Sequence, residues 1–211
     1  MVLVKVCGIT NLEDALVAID AGADALGFNF FKPSPRYITP EAARSIIDRL
    51  PRTPDTLVTV GVFVNESLDQ IRTVASTAGV SALQLHGDES PEYCKALTDY
   101  YLIKVFSAGE RFAPAAILDY DVRAIMFDAV DKDRFGGTGQ LSNWAVARQA
   151  GGLVPRLFLA GGLSPENVAE AIRQVKPYAV DACSKLERAP GVKDHERVRA
   201  FVAAVREVDW E

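Results

Sequence analysis

Residues that bind metals or cross-link chains are scarce in this sequence. The three cysteines, Cys7, Cys94 and Cys183, are odd in number and widely spaced, with no C-x-x-C pair, and the two histidines, His86 and His195, lie far apart. Neither a disulfide framework nor a metal site is expected, and a reducing cytoplasm is the natural setting. No apolar run approaches the length of a membrane span, and Met1 to Val6 is too short for a signal peptide. Basic stripes are missing too. The formal net charge is −5, which argues against nucleic acid or an anionic membrane as partner. It leaves room for an anionic small molecule, because a few local donors can hold a phosphate on an acidic protein. The first apolar run is not followed by G-x-G-x-x-G, the fingerprint of a dinucleotide site.

What is present is a regular alternation. Hydrophobic residues make up 49% of the 211, enough for a sizeable core. Eight short apolar or β-branched runs centre on Val4, Leu26, Val60, Leu83, Ile103, Ile125, Phe158 and Val180, about 20 to 34 residues apart. Helical patterns fill most of the intervals: Asn11 to Ala21, Pro40 to Leu50 with Thr39 as cap, Ser67 to Ala75, Pro91 to Leu97, Ser142 to Gln149, Pro165 to Val175 and a closing helix from His195 to Val205. Ala113 to Leu118 is the shortest helical candidate. Strand and helix in alternation imply a parallel sheet with helices outside. Eight unbroken units predict an α/β chain folded as a single (β/α)₈ barrel over residues 1–211, with a doubly wound sheet as the alternative.

In a barrel the chemistry sits at the C-terminal ends of the strands. Cys7 ends the first run and could serve there as a base or nucleophile, or fill space as a small hydrophobe. Asp128 ends the sixth run and either caps the next element or faces the mouth. Phe135-Gly-Gly-Thr-Gly139, beyond it, reads as a close-approach or mobile loop. Ala160-Gly161-Gly162-Leu163 follows the seventh run, where exposed N–H groups suit a phosphate. Arg36 sits in the proline-stiffened stretch Lys32 to Tyr37, poised for a carboxylate or solvated on the surface. Gln84 and His86 share a strand face, so His86 lines the mouth or serves structure. Lys5 shares parity with Cys7 and, if it points inward, needs an acidic partner.

Together these pieces resemble the phosphoribosylanthranilate isomerase family. The matching stretches are Lys5-Val-Cys-Gly-Ile-Thr10, Gly27-Phe-Asn-Phe30, Ser34-Pro-Arg-Tyr37, Val60-Gly-Val-Phe-Val-Asn65, Leu83-Gln-Leu-His-Gly-Asp-Glu89, Gly136-Gly-Thr-Gly139, Ala160-Gly-Gly-Leu-Ser-Pro-Glu-Asn167 and Pro190-Gly-Val-Lys-Asp194, in family order from end to end. The resemblance implies a cofactor-free, metal-free Amadori rearrangement of N-(5′-phosphoribosyl)anthranilate in tryptophan biosynthesis. It implies Cys7 as general base and Asp128 as general acid, Arg36, Asp181 and His86 near the substrate, and Gly161, Gly162, Ser184 and Lys185 around the phosphate. Lys185 departs from the family, which often has glycine there. A lysine is costly if the position needs a positive φ, while its ammonium could strengthen the phosphate grip. Two other readings stand beside this one. A bifunctional histidine- and tryptophan-pathway isomerase would carry Asp where this chain has Cys7. A degenerate barrel would only bind a phosphorylated ligand. Partners beyond the small-molecule substrate are not expected, and both monomer and homodimer are open.

Overall fold

The structure is a computed structural model that describes residues 1–51, 57–107, 114–129 and 143–208. Eight parallel strands close into a barrel in sequence order: β1 (Leu3–Cys7), β2 (Ala25–Asn29), β3 (Val58–Phe63), β4 (Ala82–Leu85), β5 (Tyr101–Ser107), β6 (Ala124–Asp128), β7 (Leu157–Leu159) and β8 (Ala179–Ala182). Each contains the centre read from the sequence. The last strand pairs with the first, Leu3 opposite Ala179 and Lys5 opposite Asp181. No described helix is long and apolar enough to cross a membrane.

The strands are apolar on both faces because both are buried. Outward residues such as Val4, Val6, Leu26 and Phe28 form the larger core with the helices. Inward residues including Ala25, Val60, Ala82, Ile103, Met126 and Phe158 form a second core inside the barrel.

The helices are α1 (Leu12–Asp20), α2 (Pro40–Ile47), α3 (Leu68–Ala78), α4 (Pro91–Lys95), α5 (Trp144–Gly151), α6 (Val168–Val175) and α7 (His195–Arg206). Their starts follow capping chemistry. Asn11 accepts the N–H of Asp14, and Thr39 accepts that of Ala42 ahead of Pro40. Three sequence expectations shift. Pro114–Asp119 is a 3₁₀ turn rather than an α-helix, in keeping with so short a segment opening on proline. Helix α6 begins three residues later than the pattern suggests, because Asn167 is engaged elsewhere. Its Oδ1 accepts the N–H of Ser164 and its Nδ2 donates to the Gly162 carbonyl. A third feature was not foreseen, a hairpin of β9 (Glu187–Ala189) and β10 (Val192–Lys193) between β8 and α7.

Candidate active site

The C-terminal end of β1 carries a dense charged cluster. Lys5 is fully buried and its Nζ meets Asp181 Oδ1 at 2.7 Å, the acidic partner its inward position demanded. Two residues on, the Cys7 thiol lies under the influence of Cys183, Lys5 and Lys193. Gly27 of β2 makes room for this arrangement: a Cβ there would stand 2.6 Å from Cys7 Sγ and 3.1 Å from Lys5 Nζ. Lys193 is 1% exposed and reaches Glu187 Oε1 at 2.9 Å and Cys183 Sγ at 3.8 Å. It is delivered there by β10, whose Lys193 N–H donates to Asp14 Oδ2 while Asp14 Oδ1 meets His195.

Electrostatics at this corner favour a thiolate. The hydrogen bond from Cys183 pulls the Cys7 pKa well below the ordinary thiol value, burial opposes this, and the charges of Lys5 and Lys193 add to the lowering. Cys183 moves the other way, pushed up by its bond to Cys7 and by burial. Burial raises the Asp181 carboxyl to about 7, with Lys5 pulling it back and Cys7 pushing further up. Among the described residues, Lys5, Lys193 and Arg36 form their ion pairs with two carboxylates, Asp181 and Glu187. A Cys7 thiolate is the sixth charge that balances the group.

Arg36 is not free. Its Nε meets both Glu187 oxygens at 2.9 and 3.1 Å, and its Nη2 meets Glu187 Oε2 at 2.7 Å. The proline-rich loop shapes the approach, but a bidentate carboxylate from β9 fixes the guanidinium.

Across the barrel, Asp128 ends β6 with 7% exposure. One oxygen accepts the Ala129 N–H at 2.7 Å and the other lies 3.2 Å from His86 Nε2. The expectation that Asp128 might merely cap a loop is therefore only half of its environment. His86, expected against substrate, is first of all the neighbour of Asp128. Its Nδ1 is held by Gln84 Nε2 at 3.1 Å. The loop bearing His86 is braced from below. Lys104 pairs with Glu89 at 2.8 Å and donates to the Gly87 carbonyl, while Glu89 accepts the N–H groups of Asn65 and Gly87.

Gly161 and Gly162 adopt φ of 86° and 65°, a left-handed pair that turns the chain after β7. Ser184 and Lys185 open a 3₁₀ turn after the neighbouring β8. Arg197 ties the two loops, with its Nε on the Lys185 carbonyl at 2.7 Å and its Nη2 on Glu166 at 3.0 Å. Lys185 is exposed and is not among the positive-φ residues, so the backbone cost anticipated for a non-glycine there does not arise. The Gly136-Gly-Thr-Gly139 stretch lies outside the described residues.

The structure thus gathers Cys7, Arg36, Asp181 and the β8 turn on one side, and Asp128 with His86 on the other. Sequence reasoning missed Cys183, Glu187 and Lys193. The turn-forming Pro190-Gly191 pair was the available signal that the chain doubles back there.

Comparison with known proteins finds relatives along nearly the whole chain. The N-(5'phosphoribosyl)anthranilate (PRA) isomerase family matches residues 4–204. The N-(5'-phosphoribosyl)anthranilate isomerase of Trichlorobacter lovleyi is 47% identical, over 98% of this chain and 99% of its own. The crystal structure of phosphoribosyl anthranilate isomerase from Thermus thermophilus superposes with a TM-score of 0.90 at 38% identity, covering 98% of this chain and 100% of that one. A phosphoribosyl anthranilate isomerase in complex with reduced 1-(o-carboxyphenylamino)-1-deoxyribulose 5-phosphate gives 0.85 at 41%, covering 98% and 99%.

Proposed function

The chain belongs to the N-(5'-phosphoribosyl)anthranilate isomerase family, and from that premise we propose how its own residues perform the isomerisation. The reaction converts N-(5′-phosphoribosyl)anthranilate to 1-(2-carboxyphenylamino)-1-deoxyribulose 5-phosphate, a step of tryptophan biosynthesis. It needs a proton delivered to the ribose ring oxygen, which opens the ring to a Schiff base. It then needs a proton removed from C2′, which gives an enolamine that becomes the ketone.

Asp128 delivers the first proton. Its Oδ2 shares a short contact with His86 Nε2, so His86 can return a proton to it after each turnover. Cys7 removes the second. The observation that carries this reading is the company Cys7 keeps: a donor thiol and two buried ammonium groups that favour its deprotonated form. A base must arrive without its proton and an acid with one, and the surroundings of Cys7 favour the first of those states. Arg36, locked by Glu187 through Nε and Nη2, offers its remaining N–H groups to the anthranilate carboxylate. Asp181 lies beside the sugar. Gly161, Gly162, Ser184 and Lys185 surround the phosphate.

Steady-state kinetics test the two roles. Asp128→Asn and Cys7→Ser each remove one proton-transfer group at nearly constant shape. Each is expected to lower kcat by about 10²-fold or more, with a much smaller change in KM. Turnover of either variant within about threefold of the parent would remove that residue from its role.

A further inference from the structure

Two of the three sulfurs converge on the mouth. Cys7 ends β1 and Cys183 directly follows β8, and these strands are paired in register up to Val6 opposite Ala182. One step further along the same register sets Cys183 beside Cys7. Neighbouring strands lie about 4.8 Å apart, inside the roughly 4.4–6.8 Å Cα separation that a disulfide spans without backbone movement. Each thiol also feels the other electrostatically, Cys7 shifted down and Cys183 up. A Cβ added to Gly8, next to Cys7, would come 2.9 Å from Cys183 Sγ. Cys94 is different, buried on α4 and outside this cluster.

We propose that Cys7 and Cys183 form a modification site, a thiol pair that peroxides convert into a disulfide across the mouth and that thiol reductants restore. The Cys7 sulfur attacks the peroxide O–O bond. Sulfur is oxidised to the sulfenic acid, and the departing oxygen, reduced, leaves as water after taking a proton. The Cys183 sulfur then attacks the Cys7 sulfur. The S–S bond forms, the S–O bond breaks, and the hydroxyl leaves with the Cys183 proton as a second water. Two thiols and one peroxide give one disulfide and two waters. A lysine-flanked thiolate is the favoured attacking group and a second thiol in contact is the resolving partner. Cys183 Sγ lies 3.7 Å from Glu187 Oε1 and 3.8 Å from Lys193 Nζ, so a carboxylate and an ammonium flank the resolving thiol, whose proton passes to the departing hydroxyl. The effect on turnover rests on Cys7 being the base; the bond itself does not.

The full chain is treated with a few equivalents of hydrogen peroxide, digested without reductant and analysed by mass spectrometry, with initial rates measured before and after dithiothreitol. The expected result is a Cys7–Cys183 linked peptide pair with Cys94 still free. Activity should fall by about 10²-fold and return with dithiothreitol. Cys183→Ser keeps the size and a donor but lacks the resolving sulfur. Each protein is referred to its own untreated rate, and in this variant the loss should become irreversible as Cys7 proceeds to the sulfinic acid. Cys7 found over-oxidised in the parent protein while Cys183 stays a free thiol overturns the proposal. So does survival of both thiols at peroxide doses that oxidise Cys94. A Cys7–Cys183 link with undiminished turnover upholds the modification site and removes Cys7 from the role of base.

Discussion

The two ends of the barrel interior are made by the same eight strands and hold opposite chemistry. Toward the N-terminal ends, a cavity of about 350 Å³ is lined mostly by apolar residues, among them Leu3, Ala25, Val60, Ile103, Phe158 and Ala179, with Lys5 and Asp24 as its charged members. Toward the C-terminal ends, the inward positions become Lys5, Cys7, Asp128 and Asp181. One strand can serve both ends because alternate residues share a face, so a change from Leu3 to Lys5 to Cys7 alters chemistry along the bore without altering the strand. The difference teaches where each end draws its strength. The floor is held by area removed from water. The mouth gathers charges that are costly to bury, and tolerates them because every cation has an anion at hydrogen-bond distance.

Breaking the mouth should therefore cost more than trimming the floor. Lys5→Met leaves Asp181 buried without its cation, and unfolding experiments should show a loss on the order of 3–5 kcal/mol. Adding Asp181→Asn should recover a good part of it. Activity sharpens the same point. Lys5 helps hold the Cys7 pKa down, and the base proposed at Cys7 would work only when deprotonated. Its removal should move the rising limb of kcat/KM to higher pH. An unshifted limb would mean that Lys5 serves structure alone.

On the floor, Ile103→Val removes one methylene from a residue that is 1% exposed. Denaturant titration should show a loss of about 0.5–1.5 kcal/mol, with kcat within twofold of the parent. A large kcat effect would dissolve the separation between the ends.

The smallest effect is expected at Lys185. Its side chain is exposed, its φ is not positive, and its carbonyl is held by Arg197. Lys185→Met should change KM by less than about threefold, since an exposed, screened charge contributes little. A larger, salt-sensitive rise would restore the ammonium as a phosphate contact.

How far the sequence could be read follows the same division. Local chemistry was legible: eight apolar runs gave eight strands, and Asn11 and Thr39 marked their helices. Cys7, Asp128 and Lys5 were legible because a strand's end and parity can be counted. Partners brought together by the closed barrel were not. Nothing near His86 announces Asp128, and nothing near Arg36 announces Glu187, 151 positions away. Asn167 shows the limit at short range, since a residue that reads as part of a helix start instead bridges Ser164 and Gly162. The family resemblance supplied Asp181 and chose between the two readings of Arg36 where counting could not, and gave no role to Cys183 or Lys193.

The seam between β1 and β8 has a consequence for the order of folding. Lys5 and Asp181 are 176 positions apart, and Arg206 of α7 donates to the Val2 and Gly22 carbonyls. During synthesis one edge of β1 stays unpaired until β8 has left the ribosome. Contacts this distant in sequence slow folding and prolong exposure of strand edges. A ribosome stalled before β8 would hold a chain with most of its strands made and no working thiolate. The thiolate form of Cys7 is favoured by Lys193 as well as Lys5, so the proposed base takes shape only when β8 and the hairpin behind it arrive to close the ring.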